Sequence, residues 1–328
     1  MERTEDIHAT DTESLDAHTP DEHTPDEQQS PSHASSDDDS TSSESQSTRW
    51  RPQDIIYAFG PRNSFFISTT LEDYKYVSYQ TNPAINSFDG ADVDRMSAVA
   101  LTPEGGHILV YTAARNGAVT SKGGTVISRH PGPDQKISST DAGRWHEIQA
   151  QYEKLRLFLG QGSFAQARDT IAFTIGPEGS WWARRGTDTA WNALPSGLLR
   201  EIEERKADGV EPKQVSLGVH GCYTVIWSDD ETTWDLSRGY DTLDEYLRIE
   251  RVNNTVVLSP YEAGKFFLVT DKGLVLFSLA GSDKEHAYVQ SATTAFMQRH
   301  AKALGMGYSI QSNGMTPQSS GVVDRLWN

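Results

Sequence analysis

The 328-residue chain has a single cysteine, Cys222, which excludes an internal disulfide and any metal cage built from several thiolates. It has no apolar run approaching the ~20 residues of a membrane-spanning helix. The opening Met1-Glu2-Arg3-Thr4-Glu5-Asp6 lacks the basic start and apolar stretch of a secretory signal, and its acidity is wrong for an organellar transit peptide. Basic residues are scarce: 29 Lys and Arg stand against 46 Asp and Glu, a formal net charge of -17. That is the wrong sign for a protein held to nucleic acid or anionic lipid by bulk charge. The expectation is a cytoplasmic or nuclear protein in a reducing compartment, with neither nucleic acid nor membrane as its main partner.

Aromatic residues are missing from residues 1–48, which contain no Phe, Trp or Tyr and carry 14 acidic residues against one basic, Arg3. Such a segment cannot bury enough apolar surface to offset the entropy of ordering, so residues 1–49 read as a disordered acidic Ser/Thr/Pro tail. Thr19, Thr24 and Ser30 each precede a proline, and Ser35 and Ser36 sit three residues before Asp38 and Asp39. These are acceptor sites for phosphorylation, which would add about -1.5 to -2 charge each.

From Arg51 onward, β-branched and aromatic residues alternate with Gly, Pro and Asp turns, and the alternation repeats. A short apolar strand, a Pro or Gly turn, a second apolar strand, a polar turn and a third strand recur five times. With Pro61, Pro103, Pro177, Val219 and Pro260 taken as equivalent, the separations are 42, 74, 42 and 41 residues. Two units add a helix: Leu198, Leu199 and Ile202 have helical spacing before Gly209, and Thr242 with Glu245 forms a capping box ahead of Leu243 and Leu247. The unit therefore reads β-β-β-α, about 42 residues long. Trp145, Ile148, Tyr152, Leu155 and Leu159 form another apolar helical stripe, which Gly160 stops. It reads as a helical insertion near 141–168, or as the remainder of a sixth unit whose strands include Val126-Ile127-Ser128.

The expected fold is mainly β with peripheral helices, a propeller-like ring of five or six units spanning 50–282. An open or barrel-like antiparallel sheet backed by helices is the alternative. Residues 283–328 read as a C-terminal helix over 292–304 and a mobile end from Ser312.

No chemical motif survives its context. Leu159-Gly160-Gln161-Gly162-Ser163-Phe164-Ala165 has the glycines of a kinase phosphate loop, but helical residues precede it and the downstream kinase motifs are missing. His220 and Cys222 share a strand face, yet the repeat places His220 at a variable turn and Cys222 at a small-residue position. The histidines lack metal-ligand spacing, so no metal or cofactor is called for. The tryptophans carry the remaining signal. Trp181 and Trp182 are consecutive and point to opposite faces of a strand, so one of them is expected to face an inter-unit groove or solvent, with packing between units the plainer reading of such aromatics.

Trp181, Trp182, Arg184, Trp227 and Trp234 are accordingly the candidate binding residues. The first expectation is a non-enzymatic interaction scaffold that binds a protein partner through this aromatic groove, with the tail as a phosphorylated arm. The alternatives are lectin-like binding of a glycan or small molecule at aromatic sites between units, and an enzyme whose site at the ring centre is assembled from distant residues. Brief proteinase K digestion followed by mass spectrometry is expected to remove residues 1–49 first and leave a resistant fragment beginning near residue 50.

Overall fold

Runs of four to nine apolar, β-branched and aromatic residues bounded by Gly, Pro and Asp favour short strands joined by tight turns. The computed structural model of the protein describes residues 55–69, 93–103, 105–115, 118–129, 142–161, 170–252, 254–270, 274–279, 283–304 and 309–312. The tail and its phosphate acceptors lie outside the described residues.

The described strands fall into five separate sheets. The first pairs β1 (Ile55–Phe59) with β2 (Phe65–Thr69), and the second is β3 (Val93–Leu101), β4 (His107–Arg115) and β5 (Ala118–Arg129). The third is β6 (Ala172–Ile175), β7 (Trp181–Arg185) and β8 (Asp188–Asn192), and the fourth is β9 (Pro212–Leu217), β10 (Tyr223–Trp227) and β11 (Thr232–Asp235). The fifth comprises β12 (Thr255–Leu258), β13 (Phe266–Val269), β14 (Leu274–Ser278) and β15 (Ser309–Ser312). All pairings are antiparallel except β14 with β15. Among the described residues no sheet closes into a barrel, so the alternative of one open or barrel-like sheet is corrected: apart from β15, each short strand pairs only with its neighbours along the chain.

The turn between first and second strands is the most regular part of the repeat. The N–H groups of Gly60, Thr102, Gly176 and Gly218 donate to the carbonyls of Ser64, Gly106, Ser180 and Cys222 at 2.7, 2.8, 2.8 and 2.8 Å. Inside the turn the chain passes through left-handed conformations, at Arg62 and Asn63, Glu178 and Gly179, and His220 and Gly221. This is why Gly or Asn recurs there. Proline fits the preceding position because its fixed φ starts the turn and its missing N–H is not needed. In the fifth unit the loop is longer, closing from the Ser259 N–H to the Lys265 carbonyl at 2.9 Å.

Apolar residues on both faces of each sheet must be covered, and five clusters do this. One holds Ile55, Tyr57 and Phe59 of β1 with Phe267 and Phe277 of the fifth sheet. The other face of β1, through Ile56 and Ala58, packs on Met96, Val99 and Leu109 of the second sheet. The second and third sheets meet through Ile108, Val110, Ile175 and Trp181. The third and fourth meet through Trp182, Val215, Leu217 and Trp227. The fourth and fifth meet through Cys222, Ile226, Leu258 and Phe266.

Four helices among the described residues complete these layers. Helix α1 (Ala142–Leu159) contributes Tyr152, Leu155 and Leu159 between the second and third sheets. Helix α2 (Ser196–Ala207) contributes Leu198 and Ile202 between the third and fourth. Helix α3 (Asp241–Ile249) contributes Leu243 and Leu247 between the fourth and fifth. Helix α4 (Asp283–Leu304) places Val289, Phe296 and Met297 between the fifth and first. The stripe expected as an insertion thus follows the third strand of its sheet and packs as α2 and α3 do. Val126–Ser128 lie in β5 of the second sheet.

Three local expectations are corrected. Trp181 and Trp182 do point to opposite faces, but both are buried, at 4% and 0% exposure, because a neighbouring sheet covers each face. Thr242 does not cap α3: the helix already includes Asp241, and Tyr240 precedes it without a side-chain cap. The C-terminal helix begins nine residues before Ala292, and β15 follows it, parallel to β14. A parallel neighbour requires such a helical crossover. Trp182→Ala is expected to cost about 3–5 kcal/mol in urea unfolding through the cavity it leaves. Trp191→Ala, on a residue 37% exposed, is expected to cost under about 1 kcal/mol.

Candidate functional site

The first strands carry the most informative contacts. Each touches that of the next sheet: β1 with β3, β3 with β6, β6 with β9, β9 with β12, and β12 with β1. Residues 55–59, 97–101, 170–175, 213–216 and 254–258 of these segments line one cavity of about 490 Å³. That volume suits a small ligand.

The repeat explains the opening. Counting back two positions from Gly60, Thr102, Gly176, Gly218 and Ser259 gives Ala58, Ala100, Thr174, Ser216 and Val257, all lining residues and all small. Small side chains on five converging strands leave space that Leu or Phe would fill. Counting back five positions gives Ile55, Ser97, Ile171, Lys213 and Asn254, a more polar level. Lining residues from the first two sheets are apolar except Ser97. Those from the other three include Thr170, Thr174, Arg184, Lys213, Gln214, Asn254 and Thr255, and among the described residues no Asp or Glu lines the cavity.

Side chains bind neighbouring sheets together here. The Leu258 N–H donates to Ser216 Oγ at 2.7 Å, and Gln214 Nε2 donates to the Val256 carbonyl at 3.4 Å. Ser97 Oγ and Gln214 Oε1 are buried with no hydrogen-bond partner among the described residues. In the longer fifth loop, Tyr261 donates its hydroxyl proton to the Leu101 carbonyl, tying the fifth sheet to the second. Pro260, beside Tyr261, and Leu101 both line the cavity.

Arg184 is the one sequence-derived candidate that reaches the cavity. On β7, opposite Ala172, it donates from Nε to the Gly186 carbonyl at 2.9 Å and from Nη1 to the Pro212 carbonyl at 3.3 Å. The tryptophans are engaged elsewhere. Trp227 is fully buried, donates to Thr233 Oγ1 at 2.8 Å, and carries the Arg205 guanidinium 4.7 Å from its ring centroid. Trp234 is half-buried and donates to Asp244 Oδ1 at 2.8 Å. Burial opposes ionisation of Asp244, but the Trp234 and Arg248 hydrogen bonds outweigh it and lower its pKa.

His220 sits exposed in its turn with a positive φ of 58°, while Cys222 is buried and its thiol is pushed up by that burial. A thiol so held is a poor nucleophile. Among the described residues no group of His, Cys, Asp or Glu is placed to hold a metal ion, and no helix is long and apolar enough to cross a membrane. Of the kinase-like stretch, Leu159 ends α1 and Gly160 follows in a turn, while residues 162–165 lie outside the described residues. Comparison with protein-family models, curated proteins and solved structures found no match.

Sequence reasoning passed over the cavity because its column of small residues looks unremarkable in each unit alone. Its polar rim also shows no motif spacing, since it comes from three sheets.

Tyr240 and Tyr223 fasten the fourth unit beside this site. The Tyr240 hydroxyl donates to the Ser259 carbonyl at 2.7 Å and accepts the Val219 N–H at 3.2 Å, and burial raises its pKa. Tyr223 is pushed up to about 12 by burial, then by the charge of Glu201 and their hydrogen bond. The folded state holds both protons more tightly than the unfolded chain. Their stabilisation is therefore complete below about pH 10 and is lost as pH climbs toward 12. The urea midpoint is expected to fall over that interval, less steeply in Tyr223→Phe. Tyr240→Phe is expected to cost about 1–3 kcal/mol at pH 7, by leaving the Ser259 carbonyl without its donor.

Proposed function

We propose that the protein is a non-catalytic binding protein whose five sheets form a propeller-like ring of β-β-β-α units, with a small-molecule site where the first strands converge. The ring reading is supported by the cyclic order of first-strand contacts and by the five apolar clusters, each between successive sheets, including the last and the first. In this reading α1 is the second unit's own helix, and α4 with β15 belongs to the closure.

The observation that carries the binding reading is the cavity itself: five strands supply residues no larger than valine at one level, and three of them supply Ser97, Lys213 and Asn254 at another. Buried polar atoms without partners among the described residues, Ser97 Oγ and Gln214 Oε1, fit a wall that a bound molecule completes. A partner docking on an aromatic groove is the weaker reading, because Trp181, Trp182 and Trp227 are buried within the packing. Lectin-like sites at the aromatic positions between units lose support for the same reason.

The test is native mass spectrometry of the full chain purified from its own cells, with analysis of whatever denaturation releases. A near-stoichiometric small molecule is expected, and Thr174→Phe, which fills the narrow level, is expected to lose it while keeping its circular dichroism. A folded wild-type chain that releases nothing and shows no saturable binding in a metabolite screen would falsify the assignment.

A further inference from the structure

The cavity's charge is one-sided. Arg184 and Lys213 line it, and among the described residues no carboxylate does. Lys213 has its own partner, Asp230, at 2.5 Å. Arg184 is different. Its two hydrogen bonds go to backbone carbonyls, and among the described residues no carboxylate lies within ion-pair distance of it. A guanidinium has five N–H donors, so most of its donor capacity is unspent while the side chain is half-buried. Arg205, comparably enclosed, is paired with both Asp229 and Glu231. An unneutralised cation in a partly desolvated place is costly unless an anion joins it.

Accepting the cavity as the binding site, we infer that its ligand is a small amphipathic anion, whose carboxylate, sulfonate or phosphate group pairs with Arg184. Its apolar body would lie against the first strands of the first two sheets. The two carbonyl bonds hold the guanidinium in one orientation, and fixed planar donors favour a bidentate anionic group. Gln214 and Thr174, half-buried on the same wall, supply neutral polar contacts.

Two fluorescent probes separate charge from shape: 8-anilinonaphthalene-1-sulfonate, and N-phenyl-1-naphthylamine, which has the same aromatic body without the sulfonate. In titrations of the full chain, Arg184→Gln is expected to weaken the sulfonate probe about tenfold or more and leave the neutral probe unchanged. Arg184→Lys, which keeps the charge but not the fork, is expected to fall between. Arg185→Gln, the next residue and not a lining one, is expected to change neither. In the wild-type protein, added salt is expected to weaken only the sulfonate probe, a readout that needs no variant.

If the sulfonate probe binds Arg184→Gln as tightly as wild type while Thr174→Phe still abolishes both probes, the anion assignment is overturned and the cavity reading stands. If Thr174→Phe, shown to be folded, alters neither probe, the cavity is not the site and both readings fall.

Discussion

The constraint on which this structure depends is that each sheet is narrow and apolar on both faces. Three short strands cannot bury a face on their own, and in the third sheet the adjacent Trp181 and Trp182 put large apolar groups on opposite sides of one strand. Each sheet therefore needs a partner on either side. A chain of such sheets leaves two bare faces at its ends unless the last meets the first. Phe267 and Phe277 packed against Tyr57 and Phe59, with α4 laid over them, cover those two faces with each other. The Tyr57 and Phe267 rings stack at 4.4 Å.

That arrangement also determines where a ligand can go. Small residues recur at one level of the five first strands, beside bulkier lining residues such as Tyr57, Leu101 and Phe173. The cavity is a by-product of packing five similar hairpins: the level that holds Ala58, Ala100, Thr174, Ser216 and Val257 has no side chain long enough to fill it. The proposed binding then rests on the ways the units differ. The first two contribute an almost wholly apolar wall, and the other three contribute the hydroxyls, amides and the two cations. Symmetry builds the space, and departures from symmetry give it chemistry.

The electrostatics have the same local character. The chain as a whole is strongly acidic, yet the described residues that line the cavity are cations and neutral groups. Much of the negative charge lies in residues 1–48. Net charge therefore says little about the proposed ligand, which would respond to the few groups within reach of it in a medium of low dielectric.

Read alone, the sequence determined the repeating hairpins, their turns and the helices after the third strands. These follow from local rules: period-two apolar strands, Gly or Asn where φ must be positive, and apolar residues three or four apart. It also singled out Arg184, but for its place beside two tryptophans and not for the cavity it lines. Tertiary structure alone decided that both of those tryptophans are buried, that α1 packs as the other units' helices do, and that β15 returns as a parallel strand. The site was likewise a tertiary decision. A wall assembled from five strands spread between Ile55 and Leu258 leaves no spacing for a local pattern to reveal.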